Sequence, residues 1–140
     1  MKRNAILIMF GICAWLSLPP WATAGEAYTP PKNCAERRGI LAALRNSLGF
    51  SPQDMVFIVR HLKVKDGWAW IETDPRSPDG KNRYEPVDAL LQEVAGKWQV
   101  KNIRPCCAEC EEDPECADIR KYYRKLKRLF PNVPPDIFPD

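Results

Sequence analysis

Apolar residues recur along this chain with three different spacings, and each spacing predicts a different kind of segment. Ala5 to Leu18 is an apolar core without charge, flanked by Lys2-Arg3 on one side and Pro19-Pro20 on the other. From Cys34 onward the spacing is helical. Cys34, Leu41, Leu44 and Leu48 fall along one stripe with Ile40 beside them, while Arg37, Arg38 and Arg45 fall toward the other side. Asn33 is placed to cap this helix, with Glu36 as its capping-box partner, and Gly49 to close it.

The third spacing is that of strands. Met55 to Lys65 is rich in Val, Ile and Phe, Asp66-Gly67 suits a two-residue hairpin turn, and Trp68 to Thr73 returns. That turn pairs Lys65 with Trp68, Lys63 with Trp70, Leu62 with Ile71 and His61 with Glu72. Strict alternation puts Ile58, Leu62, Val64, Ala69 and Ile71 on a core face with Val56 nearby. It puts Phe57, Val59, His61, Lys63, Trp68, Trp70 and Glu72 on the other. Asp74 to Asn82 reads as a loop, and Val87–Val94, Ala95-Gly96 and Lys97–Ile103 as a second hairpin. Asp113-Pro114-Glu115 opens a second helix that runs to about Phe130. The proline-rich tail is expected to lie extended against the body through Val133, Ile137 and Phe138. The expected fold class is α+β: a four-stranded antiparallel meander with an N-terminal and a C-terminal helix on one face, of cystatin-like or NTF2-like architecture.

The first segment changes the compartment. A short basic start, a 14-residue apolar core and Ala22-Thr23-Ala24 are the parts of a cleaved export signal. A membrane span needs about 20 apolar residues, so no membrane anchor is expected after cleavage. Residues 1–24 are therefore read as signal peptide and 25–140 as a single exported domain, periplasmic or, alternatively, extracellular. The whole chain carries 21 Lys and Arg against 18 Asp and Glu; losing Lys2 and Arg3 leaves 19 against 18. Near-neutral charge gives no footing for a nucleic-acid partner.

Export makes disulfides the expected state of Cys34, Cys106, Cys107, Cys110 and Cys116. The scheme read from the sequence ties Cys34 to Cys106 or Cys107, and Cys116 to Cys110 or the remaining vicinal cysteine. Cys107-x-x-Cys110 lacks the βαβ context of a redox motif, and the spacing matches no standard zinc knuckle, so no metal and no cofactor is expected. The one histidine, His61, lies opposite Glu72 and could form an acid–base pair, although a polar cross-strand pair suffices to explain it. No serine has a nucleophile-elbow context, and no catalytic residue is assigned. Acidic residues from Glu109 to Asp118 and basic ones from Arg120 to Arg128 follow the helix macrodipole.

Trp68 and Trp70 share a face. Covered by the tail they are core; uncovered they form an aromatic interaction platform with His61 and Glu72. In the latter case Trp70→Ala would weaken partner capture and spare the fold.

Asp66-Gly67-Trp68-Ala69-Trp70, Pro78-Asp79-Gly80, Tyr84-Glu85-Pro86-Val87, Gly96-Lys97-Trp98 and the Phe130-Pro131 to Pro139 tail together resemble a group of small exported bacterial proteins of unknown function. The resemblance runs from about Arg37 to the C-terminus and implies a compact exported bacterial domain, with no activity attached. The functional expectation is a non-catalytic periplasmic domain that binds an envelope protein, an inhibitor or immunity-like role being one form. Alternatives are an NTF2-like ligand or enzyme pocket and a thiol-redox or metal role for the cysteine cluster. Intact-mass analysis of the exported protein should give a chain beginning at Gly25; a mass that includes Met1 would refute the cleaved signal.

Overall fold

The structure is a computed structural model and describes residues 25–140; the export signal read at 1–24 lies outside them. Helix α1 (Ala35–Ser47) is followed by strands β1 (Val56–Lys65), β2 (Trp68–Arg76), β3 (Val87–Val94) and β4 (Lys97–Ile103). Three helices then follow, α2 (Cys107–Glu111), α3 (Pro114–Ala117) and α4 (Ile119–Leu129), before a 3-10 turn at Pro135–Ile137. The strands form one antiparallel meander in the order β1-β2-β3-β4.

Both hairpins turn as their residues demand. Asp66 and Gly67 have φ of 50° and 73°, Ala95 and Gly96 of 51° and 73°, the double left-handed geometry of a two-residue turn. The first turn sets the register: Lys65 pairs with Trp68, Lys63 with Trp70, Leu62 with Ile71 and His61 with Glu72. Beyond His61 the alternation breaks. Val59 pairs with Thr73, so Arg60 is an extra residue, a β-bulge. Its consequence is an exchange of faces. Phe57 joins Leu62 and Val64 in the core under α1, with Val59 packed against it, while Val56 and Ile58 stay exposed. Strict alternation had assigned these four residues the other way round.

The sheet has two apolar faces. Ala69, Ile71, Ala89 and Leu91 meet Ile40 and Leu44 of α1. Trp68, Trp70 and Leu90 meet Tyr122 and Leu126 of α4, then Val133, Ile137 and Phe138 of the tail. The helices thus lie on opposite faces, contrary to the single-face expectation, because strands apolar on both sides need cover on both. Trp70 has no exposed surface. Tyr123 and Phe138 approach its ring edge-on at 5.4 and 5.3 Å and stack on each other at 4.6 Å. Polar ties hold the tail in place: His61 Nε2 lies 2.8 Å from the Ile137 carbonyl oxygen, and Lys65 Nζ 2.7 Å from Asp136 Oδ2.

Two helix ends differ from expectation. Cys34 rather than Asn33 caps α1, its Sγ accepting from the Arg37 amide, while the Glu36 carboxylate accepts from the Tyr28 hydroxyl at 2.8 Å. The second long helix is broken. Asp113 caps α3 as its sequence predicts, but Asp118 is extended (φ −91°, ψ 109°) and its carboxylate caps α4 afresh through the Arg120 and Lys121 amides.

Trp70→Ala should lower stability by about 3–5 kcal/mol, a large aromatic cavity, as a fall in the urea midpoint. An unchanged midpoint would mean that α4 and the tail do not cover this ring.

Candidate functional site

The aromatic platform is closed. Trp68 and Trp70 are buried beneath Phe130, Tyr123 and Phe138, so as interaction-surface residues they are replaced by the layer that covers them. The tail covers them because burying these indoles and three apolar tail residues together removes far more apolar surface from water than leaving either exposed. His61 and Glu72 are cross-strand neighbours, yet their hydrogen bonds go elsewhere. His61 is taken by the tail. Glu72 Oε1 accepts from Trp70 Nε1 at 3.1 Å and from the Tyr123 hydroxyl at 3.2 Å, and its Oε2 lies 3.6 Å from Arg60. The space between α1 and the sheet, where an NTF2-like pocket would sit, holds Ile40, Leu44, Met55, Leu62 and Leu91.

Of the cysteines, Cys110 and Cys116 are bonded and join α2 to α3. A loop this short contributes roughly 2 kcal/mol through the unfolded state. Cys34 forms no disulfide, so its proposed bridge to Cys106 or Cys107 is absent. The reason is topological: Cys34 caps the helix over one face, whereas Cys110 and Cys116 belong to the core of the other. The Cys106 thiol lies 2.5 Å from Glu85 Oε2. Among the described residues, no group of three or more His, Cys, Asp or Glu side chains is disposed to hold a metal ion. Nor is any described helix long and apolar enough to cross a membrane.

Two surface features of the described residues stand out. The first is apolar and lies at the end of the sheet where β1 begins and β2 finishes. Leu48, Phe50, Met55, Pro75, Tyr84 and Val87 line a groove of about 440 Å³. Phe50 and Tyr84 are 40% and 43% exposed with ring centroids 6.4 Å apart, and Val56 and Ile58 are exposed on the same end of β1. Tyr84 is anchored by its amide, which donates to the Pro75 carbonyl at 3.0 Å. Arg83 and Glu85 flank it.

The second feature is charged and centres on the bulge. Because Arg60 is the extra residue, its guanidinium reaches across the strands to Glu72, to Asp74 at 3.1 Å and to Asp88 at 3.3 Å. Asp88 is the cross-strand neighbour of Glu72 and also meets Arg104 at 3.4 Å. Arg104 in turn donates to the Cys116 carbonyl at 2.7 Å and stands over the Tyr122 ring. Burial raises the Asp88 carboxyl above its ordinary value, helped by the Glu72 charge and opposed by Arg60 and Arg104. Burial likewise pushes the Tyr122 hydroxyl up to about 12 and raises that of Tyr123, where the Glu72 charge adds to it.

Of this cluster the sequence reading had singled out only Glu72. Arg60, Asp88 and Arg104 are scattered over three segments, and the long connection between β2 and β3 hides their register. Compared with known proteins, the chain matches no family, no curated protein and no solved structure.

Folded Asp88 keeps its proton to higher pH than the unfolded chain does, so its ionisation favours unfolding as pH rises past 3.8. The stability difference between Asp88→Asn and the parent should therefore move toward the variant from about pH 3 to about pH 7 in paired urea titrations. A shift in the other direction would show that the two arginines outweigh burial.

Proposed function

We propose that this protein is an exported, non-catalytic interaction domain that receives an apolar segment of a cell-envelope protein in the Phe50–Tyr84 groove. The observation that carries the reading is the exposed aromatic pair. Two rings about 40% exposed, facing an apolar groove of about 440 Å³, leave hydrocarbon in water that a partner side chain would cover. Aromatic anchors in a pocket are where binding energy concentrates in protein interfaces. The adjoining start of β1 supports the same end of the molecule. An edge strand with exposed Val56 and Ile58 is a surface that natural proteins usually blunt. Among the described residues, only the Val64 end of that edge is paired, by the main chain of Tyr28.

The Pro-Asp-Gly loop at Pro78–Gly80 follows directly on β2 and borders this end, which makes it part of the contact surface. An inhibitor or immunity-like role toward an envelope hydrolase or toxin is the concrete form this reading takes, and the periplasm is its place of action. The cystatin-like or NTF2-like comparison serves only as an analogy of layers. An enclosed ligand pocket within the core between α1 and the sheet is disfavoured by the aliphatic side chains that fill it.

A photo-crosslinking residue installed at Tyr84 should give a discrete adduct in the periplasm, whereas one at the exposed Lys127 of α4 should not. Phe50→Ala should abolish the Tyr84 adduct and leave the urea midpoint of the domain nearly unchanged. Adducts of equal yield at both positions, or a Tyr84 adduct indifferent to Phe50→Ala, would sink the reading.

A further inference from the structure

The charged cluster carries a second, independent site on the opposite side of the sheet from α1. Arg60, Glu72, Asp88, Arg104, Arg120 and Asp140 line a cleft of about 310 Å³ together with the Tyr123 ring, with Ile119 and Pro139 at its apolar border. That volume corresponds to about ten water molecules, enough for a solute of amino-acid size. The floor is acidic. Glu72 and Asp88 are cross-strand neighbours whose side chains keep 15% and 14% of their surface, so each still presents an edge to the cleft. The rim is basic. Arg60 is 43% exposed although three carboxylates surround it. Arg120 is exposed on the first turn of α4, and no partner engages its guanidinium among the described residues.

We propose that this cleft binds a small zwitterion, an ammonium and a carboxylate on one molecule of amino-acid size. The mixture of signs decides between ligand classes. A simple anion entering to meet Arg120 would face Glu72, Asp88 and Asp140, and a simple cation seeking those carboxylates would pass Arg60, Arg104 and Arg120. A zwitterion matches both signs, its ammonium toward the Glu72–Asp88 floor and its carboxylate toward Arg120. Arg120 can donate two parallel hydrogen bonds to a carboxylate without giving up any existing bond. Ile119 and Pro139 then border whatever side chain the ligand carries, which favours a small apolar one. Self-contained ion pairing explains Arg60 and Arg104; it leaves Arg120 and the open volume without a role.

The cleft contains its own reporter, because the Trp70 indole N–H donates to Glu72. Titrating the exported protein with L-alanine should move the Trp70 indole resonance in ¹H–¹⁵N spectra along a saturable curve, with Kd on the order of 1 mM. Acetate and ethylammonium, each alone at the same ionic strength, should not. Arg120→Gln touches no buried contact and should weaken L-alanine roughly tenfold, with the rest of the spectrum unmoved. Calorimetry with the same three probes gives a second measurement that does not depend on the indole signal. Absence of saturable binding in both measurements, an equal response to acetate, or undiminished binding by Arg120→Gln would each overturn the proposal. None of these outcomes bears on the Phe50–Tyr84 groove, which lies at another end of the fold.

Discussion

The central strand β2 presents hydrocarbon to both sides, and most of the remaining structure answers to that. Trp68 and Trp70 point one way, Ala69 and Ile71 the other, and all four are buried. Neither face can be left wet without forfeiting roughly 25 cal/mol for each Å² of apolar surface. One helix covers the smaller side chains, where Gly39 lets α1 come close to Trp98. The larger aromatic face needs more, and receives α4, the tail and the disulfide-joined α2–α3 segment. The proline-rich tail is thus part of the core: its Phe138 fills the edge of Trp70, and His61 and Lys65 hold its backbone and side chain from below.

The second organising feature is the single extra residue at Arg60. A bulge adds one residue to one strand and turns the following side chains to the other face. In β1 this allows the two ends of one strand to serve different purposes. From His61 onward, Leu62 and Val64 point to α1 while His61 meets the tail; before it, Phe57 takes the α1 side and Val56 and Ile58 are left exposed beyond the tail. The bulged residue itself, freed from regular pairing, carries the guanidinium that gathers Glu72, Asp74 and Asp88. The exposed apolar end of β1 and the charged cleft therefore share an origin.

Much of this was legible beforehand, for local reasons. The hairpin residues Asp66-Gly67 and Ala95-Gly96 impose left-handed backbone and so set strand ends and nearby register, including the Lys63–Trp70 and His61–Glu72 pairs. Asp113-Pro114 starts a helix and Gly49 ends one because capping is a matter of three or four residues. The Cys110–Cys116 bond was one of the pairings left open, and its short span makes it reachable within the segment.

What escaped the sequence depended on distant residues meeting. Alternation along β1 gave no sign of the bulge at Arg60, so Phe57 and Val59 were read as outward and Ile58 as core. Asp118 interrupts a helix whose apolar spacing runs on unbroken, since its carboxylate can satisfy the next turn's amides as well as an intrahelical bond would. Whether Trp68 and Trp70 were surface or interior turned on where ten tail residues would lie, and Cys34 lost its expected partner when α1 and the cysteine segment settled on opposite faces. The sequence by itself determined the elements, their turns and the local register, because those follow from backbone preference and hydrogen bonding over a few residues. Only the tertiary structure decided which face each helix covers, which aromatic residues remain in water and which charges converge on Arg60. Those outcomes minimise apolar exposure over the whole chain, and no local pattern records that balance.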